Sequence, residues 1–150
     1  MPLTNLEKFK NKKILAIDYG TKTAGLASFC SERDISPYPY ETLKNVSDDK
    51  LIKDILEIIK ESSTDIVVLG IPRLLDGQET TMSRKIRDFG ERLKKSLGPI
   101  PLFLQDESLS TFEAEERMKA SPRYNFKVDK KQIDALAASI ILEDFLASES

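Results

Sequence analysis

Three acidic positions stand where a solvated acid is not ordinarily placed. Asp18 closes the apolar run KILAID, Asp106 and Glu107 follow the run PLFLQ, and Asp134 interrupts the apolar stretch QIDALAASIIL. Carboxylates set into such runs can move protons or bind a hard cation through oxygen. The rest of the composition narrows that choice. The chain has no histidine and one cysteine, Cys30. This excludes Ser–His–Asp and Cys–His catalysis, acid–base work by imidazole, and the usual zinc sites. Any enzyme made from this sequence works with carboxylates, lysines, hydroxyls or an oxygen-bound metal.

Each acid also has an ordinary explanation. Asp18 before Tyr19–Gly20 is a common turn former, and taken alone that is the better reading. Asp106 and Glu107 can complement the N-terminus of the helix that follows. Successive strand residues face opposite sides, so only one of the two can join a given site. Asp134 near a helix start can be a cap. It is nonetheless the most informative of the set, because Ala137 and Ala138, three and four positions on, leave room for close approach. A partly buried acid with no local basic partner needs a counter-charge, which a metal supplies.

These acids are positioned by an alternating chain. Residues 13–18 read as a buried strand, and a DYGTKT turn leads to a second over 23–29. Residues 31–43 hold a third, more exposed strand, because Pro37 and Pro39 disfavour a central place in a sheet. Ser47 or Asp48 caps a helix to about Ser62, with an apolar face of Leu51, Ile52, Ile55, Leu56, Ile58 and Ile59. DIVVLG over 65–70 is the clearest strand and runs into the loop 71–77. Asp76 and Glu79 form a candidate capping box for the next helix, whose apolar positions are Met82, Ile86, Phe89, Leu93 and Leu97. Gly98–Pro99 ends it. A strand over 101–105 precedes the acid pair. Ser110 and Glu113 make another candidate box, a basic and aromatic loop spans about 120–130, and a last helix runs from about Lys131 to Leu146. Strands alternating with helices imply one sheet with parallel members and helices packed on its faces.

Length and charge bound the rest. A chain of 150 residues suits a single domain, with residues 1–12 as a flexible or capping extension. The start of the chain is charged, so it reads as neither signal peptide nor anchor, and no apolar run approaches the roughly 20 residues of a spanning helix. With one cysteine the expectation is a reduced, cytoplasmic protein. The net charge of −2 argues against an overall basic footprint for nucleic acid, though a local one fits beside a clustered acidic site.

Four motifs, DYGTKTAG (18–25), VLGIPRLLDG (68–77), DESLST (106–111) and VDKKQIDALAASIILE (128–143), occur in an order and spacing that resemble the YqgF family. That family is described as Holliday-junction-resolvase-like and as nucleases maturing the 5′ end of small-subunit ribosomal RNA. The resemblance covers about residues 13–146. It implies a ribonuclease H-like α/β fold: a mixed five-stranded sheet, its first three strands antiparallel, with helices on both faces. It also implies that Asp18, Glu107 and Asp134 are the catalytic acids and bind two divalent ions, Mg²⁺ or Mn²⁺. One ion activates the attacking water and the other stabilises the leaving oxygen. The family commonly has arginine directly after the Glu107 position, where this chain has Ser108. If that arginine touches a phosphate, the cation here comes from Lys22, Arg73, Lys130 or Lys131, each of which also reads as an ordinary surface charge. The loop RYNFKVDKK (123–131) interleaves Tyr124 and Phe126 with basic residues, a composition suited to stacking on unpaired bases. It equally suits a surface loop pegged down by two aromatics.

The expected partner is therefore nucleic acid, either precursor ribosomal RNA or branched DNA, with the small ribosomal subunit as a further partner and no membrane. Monomer and homodimer are equally compatible with the sequence. Two rival readings remain: a kinase-like ATPase, since DYGTKTAG also resembles the first phosphate loop of the actin-like ATPases, and a nucleic-acid or ribosome-binding module without chemistry. The first lacks the second lobe that closes on ATP, and the intact set of three acids argues against the second.

Overall fold

The computed structural model describes the chain apart from residues 1, 73, 75, 76, 108, 109 and 150. The elements run α1 (Asn5–Lys8), β1 (Ile14–Tyr19), β2 (Thr23–Phe29), β3 (Tyr38–Lys44), α2 (Asp48–Ser62), β4 (Ile66–Pro72), α3 (Thr81–Leu97), β5 (Leu102–Glu107), α4 (Ser110–Lys119) and α5 (Ile133–Ala147), with a 3₁₀ turn at Pro122–Tyr124. They form one five-stranded sheet in the order β3-β2-β1-β4-β5. The first three strands pair antiparallel, and β1-β4 and β4-β5 pair parallel. This is the mixed sheet that the alternating pattern and the resemblance imply. β3, with Pro39, lies on an edge and pairs only with β2. No helix among the described residues is long and apolar enough to cross a membrane.

Strand alternation divides the core. Leu15, Ile17 and Tyr19 of β1, with Val67, Leu69 and Ile71 of β4, pack against α2 and α3. Ile14 and Ala16, with Ile66 and Val68, face the other way, onto Ala138, Ile141, Leu142 and Phe145 of α5. The opposite side of α5 carries Leu136, Ala137 and Ile140, which meet Ala114 and Met118 of α4. α5 is thus apolar around its circumference because it is covered on both sides, by sheet and by helix. Its C-terminal end is tied down by α1: Asn5 is buried, donates from Nδ2 to the Phe145 carbonyl at 2.8 Å, and from its backbone N–H to the Ser148 carbonyl at 2.8 Å.

Several element ends differ from the sequence expectation. α3 is capped by Thr80 and Ser83, each hydroxyl accepting from the other's backbone N–H, at 3.0 and 2.8 Å. Glu79 does not act in a box; its carboxylate turns to Arg87 at 2.8 Å. Asp76, the other half of that expected box, lies outside the described residues. α4 begins at Ser110 itself, so Ser110 is a helical residue and not the residue before the helix. α5 begins at Ile133, two residues later than expected. β1 and β5 run on through Tyr19 and Glu107, so the acids sit inside the last residues of their strands.

Two glycines set how closely α5 approaches the sheet. A Cβ on Gly25 of β2 would stand 2.0 Å from the backbone carbonyl of Asp134, whereas one on Gly70 of β4 would meet only the Ile141 side chain, at 2.4 Å from Cδ1. A rotamer change relieves the second clash, while the first requires the helix to move. Gly25→Ala should therefore lower the unfolding free energy by about 3 kcal/mol or more, and Gly70→Ala by nearer ~1 kcal/mol. Urea denaturation of the two variants measures the difference; equal losses would mean that α5 has slack over Gly25.

Candidate active site

The antiparallel register sets Asp18 of β1 directly opposite Gly25 of β2. Ile14 and Ala16 face α5, so Asp18, two further along, faces it as well. Asp134 lies in the first turn of α5 and continues the sheet-facing stripe of Ala138, Ile141, Leu142 and Phe145. With its backbone seated on Gly25, its carboxylate comes to Asp18. The N-cap residue of α5, Gln132, makes no side-chain cap bond, and the Asp134 carboxylate does not cap the helix either. Its hydrogen bond among the described residues is from the Thr23 hydroxyl of β2 to Oδ2. The Asp18 carboxylate has no hydrogen-bond partner among the described residues. Burial, and secondarily the charge of Asp134, push its pKa from 3.8 up to about 7.

Alternation also decides between the two acids of β5. Leu102 packs with the α2/α3 side and Phe103 with the α5 side. Gln105 and Glu107 therefore share the α5 face with Asp18, while Asp106 points away and is exposed. Glu107 is the register partner of Pro72, at the end of β5. β5 lies beyond β4 from β1, a gap of roughly 10 Å between strand axes. Among the described residues no three acids or other ligand-type side chains are grouped closely enough to enclose one ion. Asp18 and Asp134 form a pair of interacting carboxylates, with Glu107 apart from it on the same face and at the same end of the sheet. The donor chemistry fits a hard divalent cation: all oxygen, with two carboxylates meeting where their charges oppose each other.

The other candidates divide. Lys22, in the turn between β1 and β2, and Lys130 and Lys131, just before α5, are exposed and make no ion pair among the described residues. All three stand at the end of the sheet or helix that carries Asp18 or Asp134. Tyr124 packs against the cluster between α4 and α5, with the Arg123 guanidinium 5.9 Å above its ring, so it is a peg. Phe126 is 60% exposed with φ 59°. A bulky residue held at positive φ with its ring in solvent has no packing reason to be there. Arg73 and Ser108 lie outside the described residues. Sequence reasoning missed Thr23. A hydroxyl at a strand start carries no distinctive pattern, and the one available signal was its place two residues before Gly25, hence on the same face.

A RuvC-like ribonuclease H fold is the class these features define. The Thermus thermophilus RuvC solved in complex with a Holliday junction superposes with a TM-score of 0.55 at 11% identity, over 87% of this chain and 91% of that one. The chain belongs to the RuvX family, described as "Holliday junction resolvase", whose match covers residues 12–148. Curated relatives named "Putative pre-16S rRNA nuclease" include one from Maridesulfovibrio salexigens, 38% identical over 90% of this chain and 98% of its own length. Another, from Fusobacterium nucleatum, is 36% identical over 90% and 96%.

The raised pKa of Asp18 has a consequence for stability. Folding penalises the ionised form, so the penalty is full above about pH 7 and fades as pH falls through that value toward the ordinary carboxylate range. Asp18→Asn removes it. In chelator at pH 8 this variant should melt above the parent, by an amount worth on the order of a few kcal/mol. The gain should shrink to well under half at about pH 5 and vanish only near the ordinary value of 3.8. Asp134→Asn, which removes the second cause of the shift, should show a smaller gain of the same sign. Thermal melts of the three proteins at both pH values test this: a pH-independent gain in Asp18→Asn would mean that Asp18 is not held above the ordinary carboxylate range, and no gain in Asp134→Asn would mean that the two acids do not interact.

Proposed function

We propose that the chain is a metal-dependent nuclease that hydrolyses a phosphodiester bond in precursor small-subunit ribosomal RNA, with Asp18, Glu107 and Asp134 as its catalytic acids. The observation that carries the chemistry is the meeting of Asp18 and Asp134, two carboxylates from distant parts of the chain brought together at a cost in stability. Functional sites commonly hold such costly arrangements. The choice of RNA rests on the names of the curated relatives.

Mg²⁺ or Mn²⁺, when bound, supplies Lewis acidity, making water a usable nucleophile near neutral pH and offsetting charge on the phosphate. That role replaces the imidazole base which the composition lacks. Asp18 and Asp134 would hold the cation, which would offset their mutual repulsion. Glu107, on the same sheet face, would supply a third oxygen ligand. Lys22, Lys130 and Lys131 attract the phosphate backbone to this end of the sheet, and Phe126 offers an exposed ring on which an unpaired base stacks. Arg73 remains a candidate for the same role as the lysines.

Cleavage of a precursor RNA spanning the mature 5′ end should require Mg²⁺ or Mn²⁺. It should be abolished by Asp18→Asn, Glu107→Gln or Asp134→Asn, with circular dichroism unchanged. Full activity in excess chelator, or in any one of these variants, would overturn the mechanism. Cleavage of a four-way DNA junction but not of the RNA would overturn the substrate and leave the chemistry.

The two loop aromatics should separate experimentally. Phe126→Ala should weaken binding of single-stranded RNA by about 1–3 kcal/mol with little change in melting temperature. Tyr124→Ala should instead lower the melting temperature, and Lys130→Gln with Lys131→Gln should flatten the salt dependence of affinity. Filter binding at several salt concentrations, paired with melts, distinguishes these effects. Unchanged affinity in Phe126→Ala and in the lysine variant would make the loop a surface feature only.

A further inference from the structure

We infer that Thr23 is a positioning residue for this site: its hydroxyl fixes which oxygen of Asp134 is left to face Asp18 and a divalent cation. The inference rests on the proposed metal-dependent reading and deepens it.

Three observations point the same way. The Thr23 hydroxyl donates to Asp134 Oδ2. Thr23 and Gly25 are two apart on β2, so they share the face over which α5 begins. The contact at Gly25 locates the Asp134 backbone, since any Cβ there would collide with its carbonyl, but backbone contact leaves χ1 and χ2 of the aspartate free. The Thr23 bond removes that freedom. The helix itself does not compete for the carboxylate, because the first turn of α5 carries no side-chain cap bond. One oxygen is therefore occupied by a neutral donor, and the other is left for a ligand. A hydrogen-bonded partner behind a ligating carboxylate is the usual way a protein orients such a ligand, and its loss typically costs about 10–100-fold in metal affinity. The threonine is branched at Cβ and stiff at χ1, which suits it to hold the hydroxyl in one direction.

The test measures metal binding apart from catalysis. Mn²⁺ is titrated into the intact protein at a temperature well below its melting point, and free and bound ion are distinguished by electron paramagnetic resonance. Thr23→Val keeps the shape and strand preference but deletes the donor; Thr23→Ser restores the donor. Thr23→Val should bind Mn²⁺ about 10–100-fold more weakly than the parent, and Thr23→Ser should recover most of that loss. A threonine that only staples β2 to α5 would lower the melting temperature in chelator and leave the Mn²⁺ isotherm of the folded protein unmoved. Equal affinity in parent and Thr23→Val would overturn the inference while sparing the proposed function. So would a Thr23→Ser protein as weak as Thr23→Val. A parent that binds no Mn²⁺ would overturn both.

Discussion

The contact between the first turn of α5 and Gly25 is the constraint from which the rest of the site follows. Because Gly25 is the register partner of Asp18, seating the helix backbone on this glycine places Asp134 beside Asp18. No other residue permits that approach, since even a methyl group would stand inside the Asp134 carbonyl. The remainder of the fold holds the helix there. Small Ala138 and branched Ile141 press it against the sheet, α4 covers its outer side, and α1 holds its far end through Asn5. A helix covered on so many sides cannot relieve the repulsion of the two acids by shifting outward.

The strand beneath is pinned with equal care. Tyr19, the residue after Asp18, turns to the opposite face, where its ring lies 4.6 Å from Phe89 and its hydroxyl donates to Asp48 Oδ1 at 2.6 Å. Asp48 also accepts from Arg92 of α3 at 3.4 Å, so β1, α2 and α3 are joined at one point. The following turn is tied across by Asn45, whose side chain donates to the Gly20 carbonyl at 2.6 Å and whose backbone N–H donates to that of Lys22 at 2.9 Å. Two neighbouring residues thus take opposite parts. Tyr19 gains packing and a hydrogen bond, and the rigidity this gives the strand end holds Asp18 in a place where its charge is disfavoured.

How much of this was legible beforehand varies with the physics involved. Helices α2 and α3 and the strands β1, β2 and β4 were readable because burial imposes its period directly on the sequence. The start of α3 was misread. Asp76 and Glu79 have the spacing of a capping box, but the pair Thr80 and Ser83, with the same spacing, lies where the chain turns into the helix, and Glu79 is drawn to Arg87. The acid pair on β5 was readable only as an either-or. Alternation says that one of Asp106 and Glu107 faces a given side, but choosing between them requires knowing that Phe103 lies under α5. Tyr124 and Phe126 look alike in sequence, two aromatics in one basic loop. They differ because α4 and α5 offer a buried apolar cluster to the first and none to the second.

The acidic net charge and the proposed nucleic-acid substrate are reconciled by where the charges sit. Asp18, Glu107 and Asp134 gather at one end of the sheet, and a divalent cation there would convert that end from repelling phosphate to attracting it. The exposed lysines flanking it, Lys22 on the β1–β2 turn and Lys130 and Lys131 before α5, make no ion pair among the described residues. Other basic side chains do: Lys50 with Asp54, Arg87 with Glu79, Arg92 with Asp48, and Arg117 with Glu143. Cations already neutralised by a neighbour contribute little to phosphate binding, so the overall charge understates what the unpaired lysines offer. What matters for a phosphate approaching within a Debye length is the local sum. Under the proposed function that sum would depend on metal occupancy, which would make affinity for the nucleic acid and affinity for the ion two aspects of one equilibrium.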